Sequence, residues 1–164
     1  MIRLELPTAE ATAELGTRLA ATLPDNAGRG WTVLLRGELG AGKSTLVRGL
    51  VTALGHEGPV PSPTYTLVEP YELPGGRVFH ADLYRIGDEE ELHFLGSDEF
   101  DAGLLLVEWP DRAPALAARA DLSVALSYLA AGRAAVLEAH SARGRAWLEA
   151  AREAIALEPP LNLT

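Results

Sequence analysis

A glycine-rich segment around Lys43 has the composition and spacing of a phosphate-binding loop. The run Gly37-Glu38-Leu39-Gly40-Ala41-Gly42-Lys43-Ser44 matches the pattern G-x-x-x-x-G-K-S/T. In such a loop the glycines let backbone N–H groups turn toward phosphate oxygens, and the lysine ammonium reaches the β- and γ-phosphates. Lys43 is the only lysine among the 14 Lys and Arg residues. A compact ammonium fits between phosphate oxygens better than a planar guanidinium does, so the loop is predicted to bind a nucleotide.

A magnesium-binding acid is expected at the end of a strand beside this loop. Glu108 follows the apolar run 104–107, and Asp82 follows the less uniformly apolar run 78–81. We favour Glu108, together with the Ser44 hydroxyl, as the ligands of Mg²⁺, and we assign Asp82 a role near the metal or the attacking water. The alternative for either acid is that it caps a following turn or helix.

The loop at 59–64 carries three prolines, which exclude regular structure there. Thr64 at its end is a candidate for a switch hydroxyl that senses the γ-phosphate, and the residues alone do not choose between this role and a structural one. The alternative is a turn residue that bonds its own backbone. Adenine is the favoured base, because the guanine-reading motif of P-loop GTPases contains a lysine and the only lysine here is Lys43.

The elements that must position these residues alternate between strands and helices. A short apolar strand at 31–35 leads into the loop, and a helix follows to about Leu54. The run 104–107 is predicted to be a buried central strand. Further predictions are an edge strand at 2–6, a helix capped by Thr8 to about Leu23, a loop at 24–30, a hairpin of 65–71 and 77–84, a short helix at 88–95, a second hairpin of 121–129 and 133–139, and a closing helix at 141–157 stopped by the prolines at 159–160. This order predicts an α/β, three-layer P-loop NTPase fold whose mixed central sheet is largely parallel, with added antiparallel strands.

Composition narrows the classes of function. The length of 164 residues suggests one domain across 1–164, and the absence of cysteine excludes disulfides, thiolate zinc sites and cysteine nucleophiles. The formal net charge of −9 disfavours direct binding of a polyanion such as RNA. We expect a cytoplasmic protein without membrane contact, because no apolar run approaches the roughly 18 residues that span a bilayer. The four histidines (His56, His80, His93, His140) lack metal-ligand spacing and are interpreted as structural or surface residues.

Five segments in order resemble one family. They are Gly-Glu-Leu-Gly-Ala-Gly-Lys-Ser-Thr (37–45), Ser-Pro-Thr-Tyr-Thr-Leu-Val-Glu-Pro-Tyr (62–71), Asp-Leu-Tyr-Arg (82–85), Glu-Glu-Leu-x-Phe-Leu-Gly (90–96) and Val-Glu-Trp-Pro (107–110). Together they resemble TsaE, formerly YjeE, the bacterial P-loop ATPases of tRNA threonylcarbamoyladenosine (t6A) biosynthesis. The family-like core covers about 8–135, and the closing helix and tail at 141–164 lie outside the motifs.

The resemblance implies a function and a set of site residues. TsaE-like proteins bind ATP and Mg²⁺, hydrolyse ATP weakly alone, and support turnover of the TsaB–TsaD heterodimer, which holds the tRNA. The implied catalytic residues are Lys43, Asp82, Glu108 and Thr64, with Ser44 and Glu108 at the metal. The base is expected between the start of the first helix and the turn at 132–133. The implied ATP-binding residues are Ala9, Thr12, Glu38, Leu39, Gly40, Ala41, Gly42, Lys43, Ser44, Thr45, Gly132 and Arg133.

Two other functions use the same loop. A P-loop small-molecule kinase would need an arginine-bearing lid, and the sequence offers only the short acidic segment at 88–95. A nucleotide-dependent docking module would bind ATP to order a surface without needing hydrolysis. Phosphate release without a phosphorylated acceptor discriminates against the kinase, and repeated turnover on a non-hydrolysable analogue would favour the docking module.

Overall fold

The computed structural model of the chain describes residues 1–24, 30–157 and 161–164. The strands are β1 (Ile2–Leu6), β2 (Trp31–Arg36), β3 (Val68–Leu73), β4 (Gly76–Asp82), β5 (Gly103–Glu108), β6 (Leu122–Tyr128), β7 (Arg133–Ala139) and β8 (Asn162–Leu163). The α-helices are α1 (Ala9–Thr22), α2 (Lys43–Ala53), α3 (Pro114–Ala117) and α4 (Ala142–Leu157), and 3₁₀ helices span Glu89–Leu95, Ser97–Ala102 and Pro110–Arg112. Most of the predicted loop at 24–30 and the predicted helix stop at 159–160 lie outside the described residues.

The strands form one mixed sheet with a parallel centre. Its order is β3-β4-β5-β2-β6-β7-β1-β8. The four central strands β4, β5, β2 and β6 run parallel. The outer strands pair antiparallel on both sides. Because parallel strands end at the same edge of a sheet, the chain segments that follow β2, β4 and β5 meet at one rim, where ligands of open α/β sheets bind.

Alternate side chains of the central strands enter two separate apolar cores. Val33 and Leu35 of β2 pack on one face in a cluster that also contains residues of α1, α2 and α4. Leu34 points to the other face, where the cluster is completed by residues of the 3₁₀ helices and α3, such as Phe100 and Leu116. Both faces of the parallel centre are therefore covered, as expected for near-continuous apolar strands. The predicted three-layer α/β fold with a parallel core and antiparallel additions is confirmed.

The structure corrects several predicted boundaries. β3 begins at Val68 instead of residue 65, because Leu67 adopts a left-handed φ of 67° and its N–H bonds Pro63 O in a turn. β4 ends at Asp82 instead of residue 84, since the Asp82 carboxylate accepts the Tyr84 N–H and turns the chain. The 3₁₀ helix Ser97–Ala102 has no counterpart in the predicted elements. It is short, and 3₁₀ turns have no long apolar period to detect.

The prediction that β1 is an edge strand is wrong. The two-residue strand β8 pairs antiparallel with β1, aligning Leu4 with Leu163, and Thr164 donates its N–H to Arg3 O at 3.0 Å. The buried side chain of Leu161 joins the core just before this strand. A strand of two residues carries no sequence period, so only the folded chain shows that the tail covers this edge.

Candidate active site

The glycine-rich loop follows β2 and ends at the first turn of α2. Gly42 caps α2 with φ 112°, a left-handed conformation that side-chain-bearing residues rarely adopt. Gly37, at the exit from β2, has φ 147°, and a Cβ there would lie 2.7 Å from Leu126 O. The loop thus needs glycine both for its backbone angles and for its close approach to β6. Its backbone N–H groups and the positive end of α2 form a surface suited to anions.

Lys43 is buried at the start of α2, where its ammonium is held by the loop itself. Its Nζ donates to Gly37 O and, at 3.1 Å, to Glu38 O. It also lies 4.9 Å from the ring centre of Trp109, a cation–π distance. Burial lowers the pKa of Lys43, while the carboxylates of Glu108 and Asp82 act in the opposite direction. A buried ammonium bonded to carbonyls is poised to exchange them for phosphate oxygens.

Asp82 and Glu108 lie side by side opposite this lysine. They are register partners at the ends of the parallel strands β4 and β5, so their side chains share one face of the sheet. Both residues are buried, with 6% and 2% of their surfaces exposed. Burial raises the pKa of Asp82, as does the Glu108 carboxylate, against the hydrogen bond that Asp82 accepts from Tyr84 N–H at 3.0 Å. Two close acids with a cation nearby are typical of phosphoryl-transfer sites.

The loop, the acids and Thr64 enclose one cleft of about 180 Å³. Thr64 enters it from the proline-rich segment, and its hydroxyl is 3.1 Å from the Ser62 hydroxyl, with either one as donor. The cleft is lined by Leu39, Gly40, Gly42, Lys43, Ser44, Thr45, Ser62, Thr64, Asp82, Glu108 and Trp109. The four predicted catalytic residues and the Ser44 hydroxyl are thus brought together, although they come from four separate segments.

The predicted base-binding residues line a second cleft, which shares Gly40, Gly42 and Thr45 with the first. Its volume is about 300 Å³, and it contains Ala9 and Thr12 of α1 and Gly132 and Arg133 of the β6–β7 turn. Gly40, Ala41, Gly42 and Thr45 form its floor. The structure therefore brings together residues that are more than 100 positions apart in sequence. Glu38 lines neither cleft and enters the site through its backbone carbonyl, which accepts from Lys43.

Three side chains at the site were not among the predicted site residues. The Ser62 hydroxyl is hydrogen-bonded to the Thr64 hydroxyl, and the Lys43 ammonium lies over the Trp109 ring. Tyr128 donates its hydroxyl to Leu39 O at 2.7 Å, and the Arg133 guanidinium lies 4.2 Å from the centre of its ring. Ser62 and Trp109 lie inside the family-like segments 62–71 and 107–110, and that membership was the available signal. Nothing in the sequence around Tyr128 indicates a contact with the loop.

The donor set at the cleft suits Mg²⁺. The Ser44 hydroxyl and the Glu108 and Asp82 carboxylates supply oxygen atoms, which Mg²⁺ prefers. Within the described ranges, no group of three or more His, Cys, Asp or Glu residues could hold a metal ion.

The strand, glycine loop and helix, together with acids at the ends of two neighbouring parallel strands, define a P-loop protein of the α/β class. Residues 6–135 match the family model "Threonylcarbamoyl adenosine biosynthesis protein TsaE". The chain belongs to the TsaE family, and the resemblance inferred from the five sequence segments is confirmed.

Individual relatives agree with the family match. The chain is 47% identical over 98 residues to the tRNA threonylcarbamoyladenosine biosynthesis protein TsaE of Haemophilus influenzae, an alignment that covers 58% of this chain and 62% of that protein. It is 42% identical to the Synechocystis protein of the same name, covering 68% and 71% of the two chains. For the Treponema pallidum protein the identity is 33%, covering 76% and 90%.

A solved structure shares the fold. The crystal structure of Bacillus subtilis YdiB superposes with a TM-score of 0.72 at 24% sequence identity, covering 93% of this chain and 97% of that one. At that identity the likeness concerns the fold alone. No helix among the described residues is long and apolar enough to cross a membrane.

Proposed function

We propose that this chain binds ATP with Mg²⁺ and hydrolyses the nucleotide in support of t6A formation by a TsaB–TsaD heterodimer. The observation that carries the proposal is the arrangement of Lys43 against Asp82 and Glu108, which are register partners at the end of the parallel sheet. An ammonium facing two carboxylates across a cleft beside a glycine loop matches the needs of triphosphate binding and cleavage.

Each site residue has a distinct task in this proposal. Lys43 exchanges the carbonyls of Gly37 and Glu38 for phosphate oxygens, and the Ser44 hydroxyl and Glu108 carboxylate hold the metal. When bound, Mg²⁺ supplies positive charge that offsets charge developing on the phosphate oxygens. Asp82 orients the attacking water and accepts its proton; burial raises the pKa of this carboxyl and makes it a better base.

Two further regions complete the binding of ATP. Thr64 is proposed as the switch hydroxyl, because it lines the cleft that contains the acids. The adenine is proposed to occupy the second cleft, between Ala9 and Thr12 on one side and Gly132 and Arg133 on the other. The loop residues proposed to contact the phosphates are Glu38, Leu39, Gly40, Ala41, Gly42, Lys43, Ser44 and Thr45.

Membership of the family supports the proposed cellular role. Relatives carry the name tRNA threonylcarbamoyladenosine biosynthesis protein, and we propose the same process for this chain. Its partner is the TsaB–TsaD heterodimer, it meets tRNA only through that complex, and it acts in the cytoplasm as a single P-loop domain spanning 1–164. The formal net charge of −9 supports the indirect contact with tRNA.

The test measures ATP hydrolysis and repeated rounds of t6A formation by purified TsaB–TsaD with this chain and its variants. Lys43→Ala is expected to weaken ATP binding by about 100-fold, because a charge-assisted phosphate contact is lost. Glu108→Gln is expected to leave ATP binding largely intact and to lower hydrolysis by about 100-fold, since a metal contact is worth several kcal/mol. Both variants should limit t6A formation to about one round per complex.

Asp111→Asn is the matched control for the loss of an acid. Its side chain is 81% exposed and pairs with Arg36 near the loop, outside the catalytic cleft. It should hydrolyse ATP like the unmodified chain. Turnover of Glu108→Gln within about twofold of the unmodified chain would overturn the assignment of Glu108. Full repeated t6A formation with a non-hydrolysable ATP analogue would instead favour the docking module.

A further inference from the structure

His80 is a buried polar residue whose ring nitrogens form no hydrogen bond with the residues that the structure describes. Only 1% of its surface is exposed, and neither ring nitrogen has a hydrogen-bond partner within the described part of the chain. Buried polar side chains almost always find a partner, so an orphaned imidazole calls for an explanation. An apolar residue would fill the same place on β4 without leaving two unsatisfied nitrogens.

The position of His80 provides that explanation. It precedes Asp82 by two residues on β4, so both side chains lie on the sheet face that carries the acids. Its Nε2 is 3.5 Å from Glu108 Oε2, which is within ion-pair range and slightly beyond a formed hydrogen bond. The histidine therefore lies directly behind the carboxylate that the proposed function assigns to Mg²⁺.

The two acids differ in how they are anchored. Asp82 is short, and it accepts the Tyr84 N–H at 3.0 Å, which holds its carboxylate by a local turn. Glu108 has one more rotatable bond, and Trp109 after it has a left-handed φ of 56°, so the chain leaves the strand at once. A longer carboxylate at the end of a strand needs a lateral contact to keep one orientation.

We propose that His80 is a positioning residue: its Nε2–H donates to Glu108 Oε2 and fixes the carboxylate in the orientation that holds the metal. The hydrogen bond forms when the 3.5 Å separation shortens by a few tenths of an ångström as Glu108 turns toward its ligand. This inference rests on the proposed function, because it concerns the same acid. It adds an outer-shell residue that acts through Glu108 and does not touch the nucleotide.

The tautomer of His80 in the free protein tests the contact without any nucleotide or metal. The proposal requires a proton on Nε2, because a bare Nε2 would point its lone pair at a carboxylate oxygen and leave the other N–H buried without an acceptor. A long-range proton–nitrogen correlation spectrum, with Glu108→Gln used to identify the shifted signal, assigns the protonated nitrogen. A bare Nε2 would overturn the proposal.

Three substitutions test the role in turnover. His80→Gln keeps an N–H donor near the place of Nε2, His80→Asn keeps one near Nδ1, and His80→Leu keeps neither. We expect His80→Leu and His80→Asn to lower kcat by about 10–100-fold, and His80→Gln to remain within about threefold of the unmodified chain. The dissociation constant for ATP should change by less than about twofold in all three, because Lys43 and the loop are untouched.

Thermal stability separates this role from a structural one. His80→Leu removes two unsatisfied polar atoms, so its melting temperature should equal or exceed that of the unmodified chain even though its kcat falls. Phe79→Leu is the matched control, because Phe79 is buried on the same strand but packs in the core of the opposite face. It should lower the melting temperature and leave kcat per folded molecule unchanged. Equal losses of kcat in His80→Gln and His80→Leu would overturn the proposal.

The outcomes distinguish this inference from the proposed function. If the unmodified chain hydrolyses no ATP with its partners, the proposed function fails, and the tautomer measurement still decides whether His80 presents an N–H to Glu108. If the unmodified chain hydrolyses ATP and His80→Leu matches its kcat, only the positioning role of His80 fails.

Discussion

At the scale of single residues, the cleft between the glycine-rich loop and the strand-end acids holds Lys43 and Asp82 where burial disfavours their charged forms. Burial lowers the pKa of Lys43 and raises the pKa of Asp82, so each group is disfavoured in its charged form. The hydrogen bonds from the Lys43 ammonium to the loop carbonyls offset part of the free energy that is lost by burying its charge. Such a site lowers the stability of the fold, and in return its charged groups are already in place to bind a charged ligand.

Asp82→Asn is expected to stabilise the free protein and to lower its ATP turnover. Because the folded pKa of Asp82 is raised, the folded chain holds this proton to a higher pH than the unfolded chain does. The free energy of unfolding therefore falls as the pH rises from the ordinary pKa of an aspartate to the raised pKa of Asp82. At neutral pH the ionised carboxylate destabilises the folded chain. Asparagine keeps the oxygen that accepts the Tyr84 N–H and removes the charge.

Melting temperatures across a pH series check this prediction. The stabilisation by Asp82→Asn should be full at neutral pH and should shrink as the pH falls toward the ordinary pKa of an aspartate. Hydrolysis should fall by about 100-fold, the contribution of a positioned base. Asp111→Asn, which alters an exposed acid, should shift the free energy of unfolding by less than about 0.5 kcal/mol at every pH. A melting temperature for Asp82→Asn below that of the unmodified chain at neutral pH would contradict the buried-charge argument.

At the scale of elements, the site depends on the close packing of α1 against α2. Gly16 of α1 lies against Leu46 O, and Gly49 of α2 lies against Ala13 O, so a Cβ at either glycine would overlap backbone atoms. The same packing sets the distance between Thr12 and the phosphate loop: a Cβ at Gly42 would lie 3.2 Å from Thr12 Cγ2. The two helices thus determine the width of the proposed adenine cleft.

Gly16→Ala is expected to destabilise the fold by about 2–3 kcal/mol, because backbone cannot yield as a flexible side chain can. The folded variant should also bind ATP more weakly, since α1 must move away from the loop and carries Ala9 and Thr12 with it. Denaturant unfolding and equilibrium ATP binding measure the two effects. Thr52→Ala, an exposed change on α2, should leave the free energy of unfolding within about 0.5 kcal/mol. A fully stable Gly16→Ala would show that the two helices can separate without cost.

At the scale of the whole molecule, the negative net charge is unfavourable for direct binding of RNA. The formal net charge is −9, and several arginines are held by acids in the fold, which reduces the positive surface left for phosphates. These pairs include Arg18 with Glu14, Arg77 with Glu72 and Glu99, Arg119 with Asp101, and Arg143 with Asp121. Under the proposed function, the partner complex would therefore supply most of the attraction for tRNA.

The isolated chain is expected to bind tRNA with a dissociation constant weaker than about 10⁻⁴ M at physiological salt, the weak limit of non-specific binding. Together with TsaB–TsaD it should migrate with tRNA in a gel-shift or sedimentation experiment, in which TsaB–TsaD alone is the control. Saturable binding of tRNA by the isolated chain in the micromolar range would contradict the indirect contact.

The parts of the site that are formed by near neighbours in the chain could be predicted from the sequence alone. The phosphate loop is one such part, because its glycines, Lys43 and Ser44 occupy consecutive positions whose backbone angles are set locally. The strand-end position of Glu108 is another, since the apolar run before it is typical of a buried strand. The α/β class and the parallel core followed from the order of such local patterns.

The contacts that depend on strand register and on packing between distant segments are visible only in the tertiary structure. It made Asp82 and Glu108 neighbours, buried His80 beside them with no hydrogen-bond partner among the described residues, and folded Lys43 onto the loop carbonyls. It also placed β8 beside β1. Register between strands is fixed by the fit of whole faces, and a one-residue slip would move every side chain to the other face. No short window of sequence contains that information, so the site emerges only when the sheet forms.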